Sequence, residues 1–123
     1  INEALRGLRL TYMEMGRWMD ALEAARQIDV KATPGPTLAR DLLADAEIFA
    51  YLGRKEEARA AIQRAAKSAP ATPAFTVRLE FVRAMTTAIE GRRAEAEREF
   101  QRLLQRSEVD DVTRSYSRLW TCT

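Results

Sequence analysis

The stretch FAYLGRKEEARAAIQRAAKSAP, residues 49–70, sets one glycine-arginine pair inside a run rich in Ala, Glu and Arg. Its central frame, G-R-x-x-[D/E]-A, occurs three times: GRWMDA from Gly16 to Ala21, GRKEEA from Gly53 to Ala58 and GRRAEA from Gly91 to Ala96. The frame has two readings, a phosphate-grasping loop and a joint between helices. A phosphate loop needs several glycines with free backbone amides at a helix N-terminus and usually ends in GK[S/T]. Each copy here has one glycine and no following Ser or Thr. A joint needs a glycine that takes positive φ to end one helix and a small residue where the next helix approaches closely. It also gains from an acid in the second helix's first turn, where the helix dipole favours negative charge. All three copies supply these parts, so the frame reads as a joint. Its arginine is required by neither reading, although its stem can shield apolar surface.

Working outward, apolar residues recur at three- and four-residue steps on both sides of each glycine, which places them on one face of a helix. Leu5, Leu8, Tyr12 and Met15 precede Gly16, and Trp18, Leu22, Ala25 and Ile28 follow it, up to about Asp29. KATPGPT, residues 31–37, then breaks the chain. Thr37 is the expected cap of a helix carrying Leu42, Ala46, Phe49 and Leu52, and Ala58, Ile62 and Ala65 form the face after Gly53. Pro70 closes that pair, and Thr72-Pro73 reads as a cap and first helical residue. Phe81, Met85, Ala88 and Ile89 precede Gly91, with Ala96, Phe100, Leu103 and Leu104 after it. A last helix is expected from Ser107 or Asp110 through Tyr116, Leu119 and Trp120.

The expected fold is therefore all-α, about seven helices in antiparallel hairpins. A single domain over 1–123 would comprise repeats at 2–36, 37–72 and 73–108 and a partial or capping helix at 109–123. One hairpin cannot bury its apolar face alone, so the hairpins are expected to stack.

Composition narrows the function. A chain of 123 residues, 46% hydrophobic, is long enough to bury a core. Its 20 basic and 18 acidic residues nearly cancel, and no third of the chain is a basic block. Cys122 stands alone and there is no histidine, which excludes an internal disulfide and a zinc site of the usual N/S kind. A reducing, cytoplasmic setting fits, and no apolar run approaches a membrane span. The start at Ile1 and the end at LWTCT read as those of a piece of a longer protein.

Each unit resembles a tetratricopeptide repeat, a helix-turn-helix unit of about 34 residues. The middle unit matches best, with Ala46, Phe49, Gly53, Ala58, Ile62, Ala65 and Pro70. The first keeps Leu5, Leu8, Tyr12, Gly16, Ala21, Ala25 and Ile28 but has Arg9 where the family has a small residue. The third keeps Ala84, Gly91, Ala96, Phe100 and Leu103, with Thr87 in place of a large apolar residue and no proline at Glu108. The resemblance covers about residues 2–108, and each unit is a few residues longer than the family's. It implies a right-handed superhelical stack, an α-solenoid, whose first helices line a concave groove that takes an extended peptide or a partner helix.

The groove residues so implied are Arg6, Leu10 and Met13 in the first unit, Arg40, Leu43, Glu47 and Tyr51 in the second, and Arg78, Phe81 and Met85 in the third. For Leu43, Phe81 and Met85, packing against the next hairpin is an equal alternative. Arg6, Arg40 and Arg78 recur along this face and would suit an acidic segment or a C-terminal carboxylate. Family members that clamp chaperone tails also use asparagines there, and this chain has only Asn2, which disfavours a chaperone-tail adaptor. The expected function is a non-catalytic protein-protein interaction module, without cofactor, inside a larger signalling or transcription-regulatory protein.

Other chemistry is thin. Without histidine there is no imidazole base, and Ser68, Ser107, Ser115 and Ser117 sit in no activating motif. Asp41/Asp45 and Glu95/Glu99 stand one helical turn apart, a spacing that suits a cation but suits solvated pairing with nearby Arg and Lys better. Arg98, Arg102 and Arg106, with Arg114 and Arg118 beyond, form a basic stripe that offers the alternative of a nucleic-acid-associated domain. Interleaved glutamates and the lack of an aromatic placed for base stacking weigh against it. Trp18, Phe49, Phe100 and Trp120 fall on apolar faces and are expected in the core.

Overall fold

Gly16, Gly53 and Gly91 separate helices as the periodicity predicts. The computed structural model describes residues 1–68 and 72–105, and among these the chain is all-helical, with six α-helices and no strand. They are α1 (Asn2–Glu14), α2 (Trp18–Arg26), α3 (Gly35–Tyr51), α4 (Lys55–Lys67), α5 (Pro73–Ile89) and α6 (Arg93–Leu104), with a single 3₁₀ turn at Val30–Ala32. Pro70 and the expected seventh helix, together with Arg106, Arg114, Arg118 and Trp120, lie outside the described residues.

Each glycine frame is the same turn. Gly16, Gly53 and Gly91 have φ of 73°, 78° and 88°, the only positive φ values among the described residues. Around Gly53, the Gly53 amide donates to the Ala50 carbonyl at 3.1 Å and the Arg54 amide to the Phe49 carbonyl at 2.8 Å. The same pair of bonds recurs at Gly16 and Gly91. This is the Schellman motif, which satisfies the last carbonyls of the first helix. The arginine that follows is the N-cap of the second helix, with nearly the same backbone at Arg17, Arg54 and Arg92. Its carbonyl accepts the first helical bond, from Ala21, Ala58 or Ala96, at 3.0 Å each time. Those alanines are at most 2% exposed, where the second helix meets the first.

The arginine of the frame thereby acquires a role. Its guanidinium reaches the acid three residues on: Arg17 to Asp20 at 2.7 Å, Arg54 to Glu57 at 3.9 Å, and Arg92 to Glu95. Arg17 also lies over the Tyr12 ring at 4.9 Å. These pairs are solvent-exposed and worth little individually, but they hold the acid over the first turn of the second helix.

Two helix starts differ in kind. Thr72 accepts a hydrogen bond from the Phe75 amide at 3.3 Å and caps α5 as expected. Thr37 does not cap α3: the helix begins three residues earlier, with Pro34 as N-cap and Gly35 and Pro36 already helical. A proline in the first turn lacks only an N–H that would have no partner there, so PGP begins the helix rather than delaying it. α2 ends at Arg26, short of the expected Asp29, and the Asp29 carboxylate accepts from the Lys31 amide to turn the chain.

The chain divides into two compact units, 1–68 and 69–123. In the first, α1 packs on α2, α2 on α3 and α3 on α4. Ala21, Leu22 and Ile48 form a core cluster flanked by Tyr12, Met13, Trp18, Ala25, Phe49 and Leu52. In the second, α5 packs on α6. Phe81 meets Phe100 edge-on at 5.9 Å, and both rings are buried.

Candidate functional site

On α1, the residues assigned to a groove divide by what holds them. Arg6 does not stand free. Its Nε and Nη2 donate to both Asp41 carboxylate oxygens at 2.9–3.2 Å, Nη2 also to Thr33 Oγ1 at 3.2 Å, and Nη1 to Glu3 at 3.0 Å. Hydrogen bonding to Asp41 raises its pKa. Arg6 is therefore a clamp from α1 to α3 and not a ligand-seeking cation, which corrects its groove assignment. Met13 is half-buried against the core cluster, while Leu10 is 55% exposed.

On α3, Leu43 is 4% exposed and belongs to the core. Arg40 is exposed and Glu47 half-buried. Tyr51 is 41% exposed and stacks on Trp18 at 4.3 Å, nearly parallel. On α5, Phe81 and Met85 are buried, at 4% and 1%, and Arg78 lies over the Phe81 ring at 5.2 Å. Leu43, Phe81 and Met85 are thus buried and do not offer open surface, and Phe81 meets Phe100 of its own hairpin. Leu10, Arg40 and Tyr51 keep accessible surface.

The structure brings together a group that the sequence reading missed. Arg9 of α1 donates from Nη1 to Asp41 at 3.0 Å, so Asp41 is shared by two guanidiniums. All three side chains are largely buried, Arg6 at 16%, Arg9 at 11% and Asp41 at 10% exposure. Arg9 Nε is buried with no hydrogen-bond partner. Asp45 lies one turn further along α3 and accepts none of these bonds. Burial pushes its carboxyl up to about 6; Arg9 opposes the shift most, the Asp41 charge adds to it and Arg64 of α4 opposes it. Two signals mark this cluster in the sequence: Arg9 where a helix interface takes a small residue, and Asp41/Asp45 on the α3 face that meets it.

In the second unit, Thr87, which departs from the repeat pattern, is buried, and its hydroxyl meets the Arg83 carbonyl at 2.9 Å and Glu99 at 3.2 Å. Glu99 is thereby engaged, and Glu95 pairs with Arg92, so the expected Glu95/Glu99 pair is two separate contacts. Glu80, Arg83, Glu99 and Arg102 line an open depression of about 460 Å³. Its two acids and two bases give it no net sign. Arg98 and Arg102 are exposed on α6, with exposed Glu97 just before Arg98 and half-buried Glu99 between the two.

Among the described residues, no group of three or more acidic, cysteine or histidine side chains is placed to hold a metal ion, and no helix is long and apolar enough to cross a membrane. In comparisons with protein-family models, with curated proteins and with solved structures, nothing matches the chain.

Proposed function

We propose that this chain is a non-catalytic protein-interaction module of the tetratricopeptide-like kind, taking a peptide or partner helix along its first helices as part of a larger signalling or regulatory protein. The observation that supports this reading is the threefold recurrence of one turn, with the same glycine φ, the same two backbone bonds and the same buried alanine, at 37- and 38-residue spacing. Such a unit serves to build helical arrays, and arrays of this kind present side chains along one row of helices. Within residues 1–68, the contact surface assigned to the partner is Leu10, Arg40 and Tyr51, an apolar, a cationic and an aromatic group. An extended peptide with an acidic and an apolar side chain suits them.

Selection from a displayed peptide library against the full chain tests the reading. It is supported if enriched peptides carry an acidic residue beside an apolar one and bind Leu10→Ser and Arg40→Ala chains at least about tenfold more weakly, a loss of about 1.4 kcal/mol. It fails if no peptide is enriched, or if both variants bind like wild type.

A further inference from the structure

The junction of the first hairpin with α3 carries groups that no matching position of the chain repeats. In the register set by the three glycines, Arg9 corresponds to Ala46 and Ala84, and Arg6 to Leu43 and Phe81, all four buried. Asp41 of α3 corresponds to the buried Leu79 of α5. The contact of α2 with α3 is equally particular: Trp18 stacks on Tyr51, whereas the counterparts of Trp18 are Lys55 and Arg93 and those of Tyr51 are Glu14 and Ile89. Joining two helices through charges costs desolvation, and here the three charged side chains are largely buried and Arg9 Nε is left without a hydrogen-bond partner. Replacing such a cluster by apolar residues is often neutral or stabilising, and the best-attested use of such groups is to fix which helices pair and in what register.

Wrong pairings strand charge. The three hairpins share their joint and its buried alanine, so each resembles the others as a packing partner, and misassembly is the characteristic failure of repeated units. If the hairpin led by α5, or that led by α3 of a second copy, settled on the α3 face, Phe81 and Ala84 or Leu43 and Ala46 would stand where Arg6 and Arg9 stand. Asp41 would then be buried unpaired. If the first hairpin settled on the matching face of α5, its two guanidiniums would meet Leu79 in place of a carboxylate. Each error leaves a charge uncompensated away from water, which is strongly unfavourable, whereas the native pairing gives Asp41 four hydrogen bonds from the two arginines.

We propose that Arg6, Arg9 and Asp41 form a pairing code: α3 is a docking face for a hairpin whose first helix presents two arginines three residues apart, and it rejects the apolar-faced hairpins of this chain or of a second copy. Trp18 on Tyr51 then holds the second helix of the accepted hairpin in register. The code sets the order in which the hairpins pack and does not rest on the peptide-binding reading above.

Nitroxide labels at Gly7→Cys and Lys55→Cys, in a full chain carrying Cys122→Ser, measure the docking. Both positions are exposed, and nothing lies within 4 Å of a Cβ at Gly7. Pulsed electron resonance reads the distance from α1 to α4, light scattering the mass and urea titration the stability. With the cluster intact, the labelled chain should give one narrow distance and one mass as concentration is raised. With Arg6→Leu, Arg9→Ala and Asp41→Leu it should stay folded at or above that stability, yet show at least about tenfold more of a second distance or of a dimer. A second chain, Arg6→Met, Arg9→Met and Asp41→Leu, keeps the length of the arginine stems and should behave alike. The proposal is overturned if either apolar chain, when folded, keeps the single distance and the single mass. It is equally overturned if both lose as much stability as Asp41→Ala, since the cluster would then be a source of stability and not of choice.

Discussion

At the residue scale, one glycine and one carboxylate show how position decides energy. Gly53 sits at φ 78° with nothing within 4 Å of where a Cβ would be, so a substitution there meets no clash and only the backbone penalty. Gly53→Ala is expected to cost about 1 kcal/mol and Gly53→Val somewhat more, because β-branched residues tolerate positive φ worst. Chemical denaturation measures this, and an unchanged midpoint would remove the turn's dependence on glycine. Asp45 carries the opposite lesson. Its carboxyl is raised from 3.8 to about 6, so the folded chain keeps a proton that the unfolded chain has released. Its contribution to stability is therefore greatest below about pH 4, falls as pH rises through 6, and is absent above that. Asp45→Asn is expected to stabilise the chain by about 1–2 kcal/mol at pH 7.5, by roughly half of that at pH 5 and by little at pH 4, as read from melts at the three conditions.

At the scale of elements, α1 is the least anchored helix, since none of its residues is fully buried. Its attachment to α3 runs through Arg6, Arg9 and Asp41 and through the half-buried Tyr12 and Met13 beside the Ala21, Leu22 and Ile48 cluster. Asp41→Ala leaves two largely buried guanidiniums without their partner and is expected to destabilise by about 2–4 kcal/mol. The triple change Arg6→Leu, Arg9→Ala and Asp41→Leu, which installs the residues of the corresponding positions in the other hairpins, is expected to be neutral or stabilising. Urea titration of the two chains separates the cases: equal losses would mean that the cluster supplies stability rather than specificity. Ile48, fully buried against the same cluster, is expected to lose about 3 kcal/mol on conversion to Ala, by the same measurement.

At the scale of the molecule, the division into units 1–68 and 69–123 says where cooperativity should break. The first unit holds four helices with three packed pairs and its own core cluster. A chain ending at Ser68 is therefore expected to be helical by circular dichroism and to melt cooperatively on its own. A featureless, non-cooperative melt would show that the unit does not fold independently.

Helix type, number of joints and hairpin pairing were legible in the sequence. They depend on local rules: a 3.6-residue apolar period, a glycine where a Schellman turn needs positive φ, and an alanine where helices touch. Thr72-Pro73 was legible for the same reason, and Thr37 was misjudged because a cap competes with an adjacent proline that is equally content in the first turn. The fate of the site residues was not legible. Arg6, Leu43, Phe81 and Met85 occupy the same face of their first helices as Leu10 and Arg40 by periodicity, and periodicity cannot say which of them packing covers. The tertiary structure alone decided that Arg6 and Arg9 meet Asp41 across some thirty residues of chain, since no local rule links helices that distant. The same packing set the proton affinity of Asp45, which burial by non-neighbouring helices controls and sequence spacing does not.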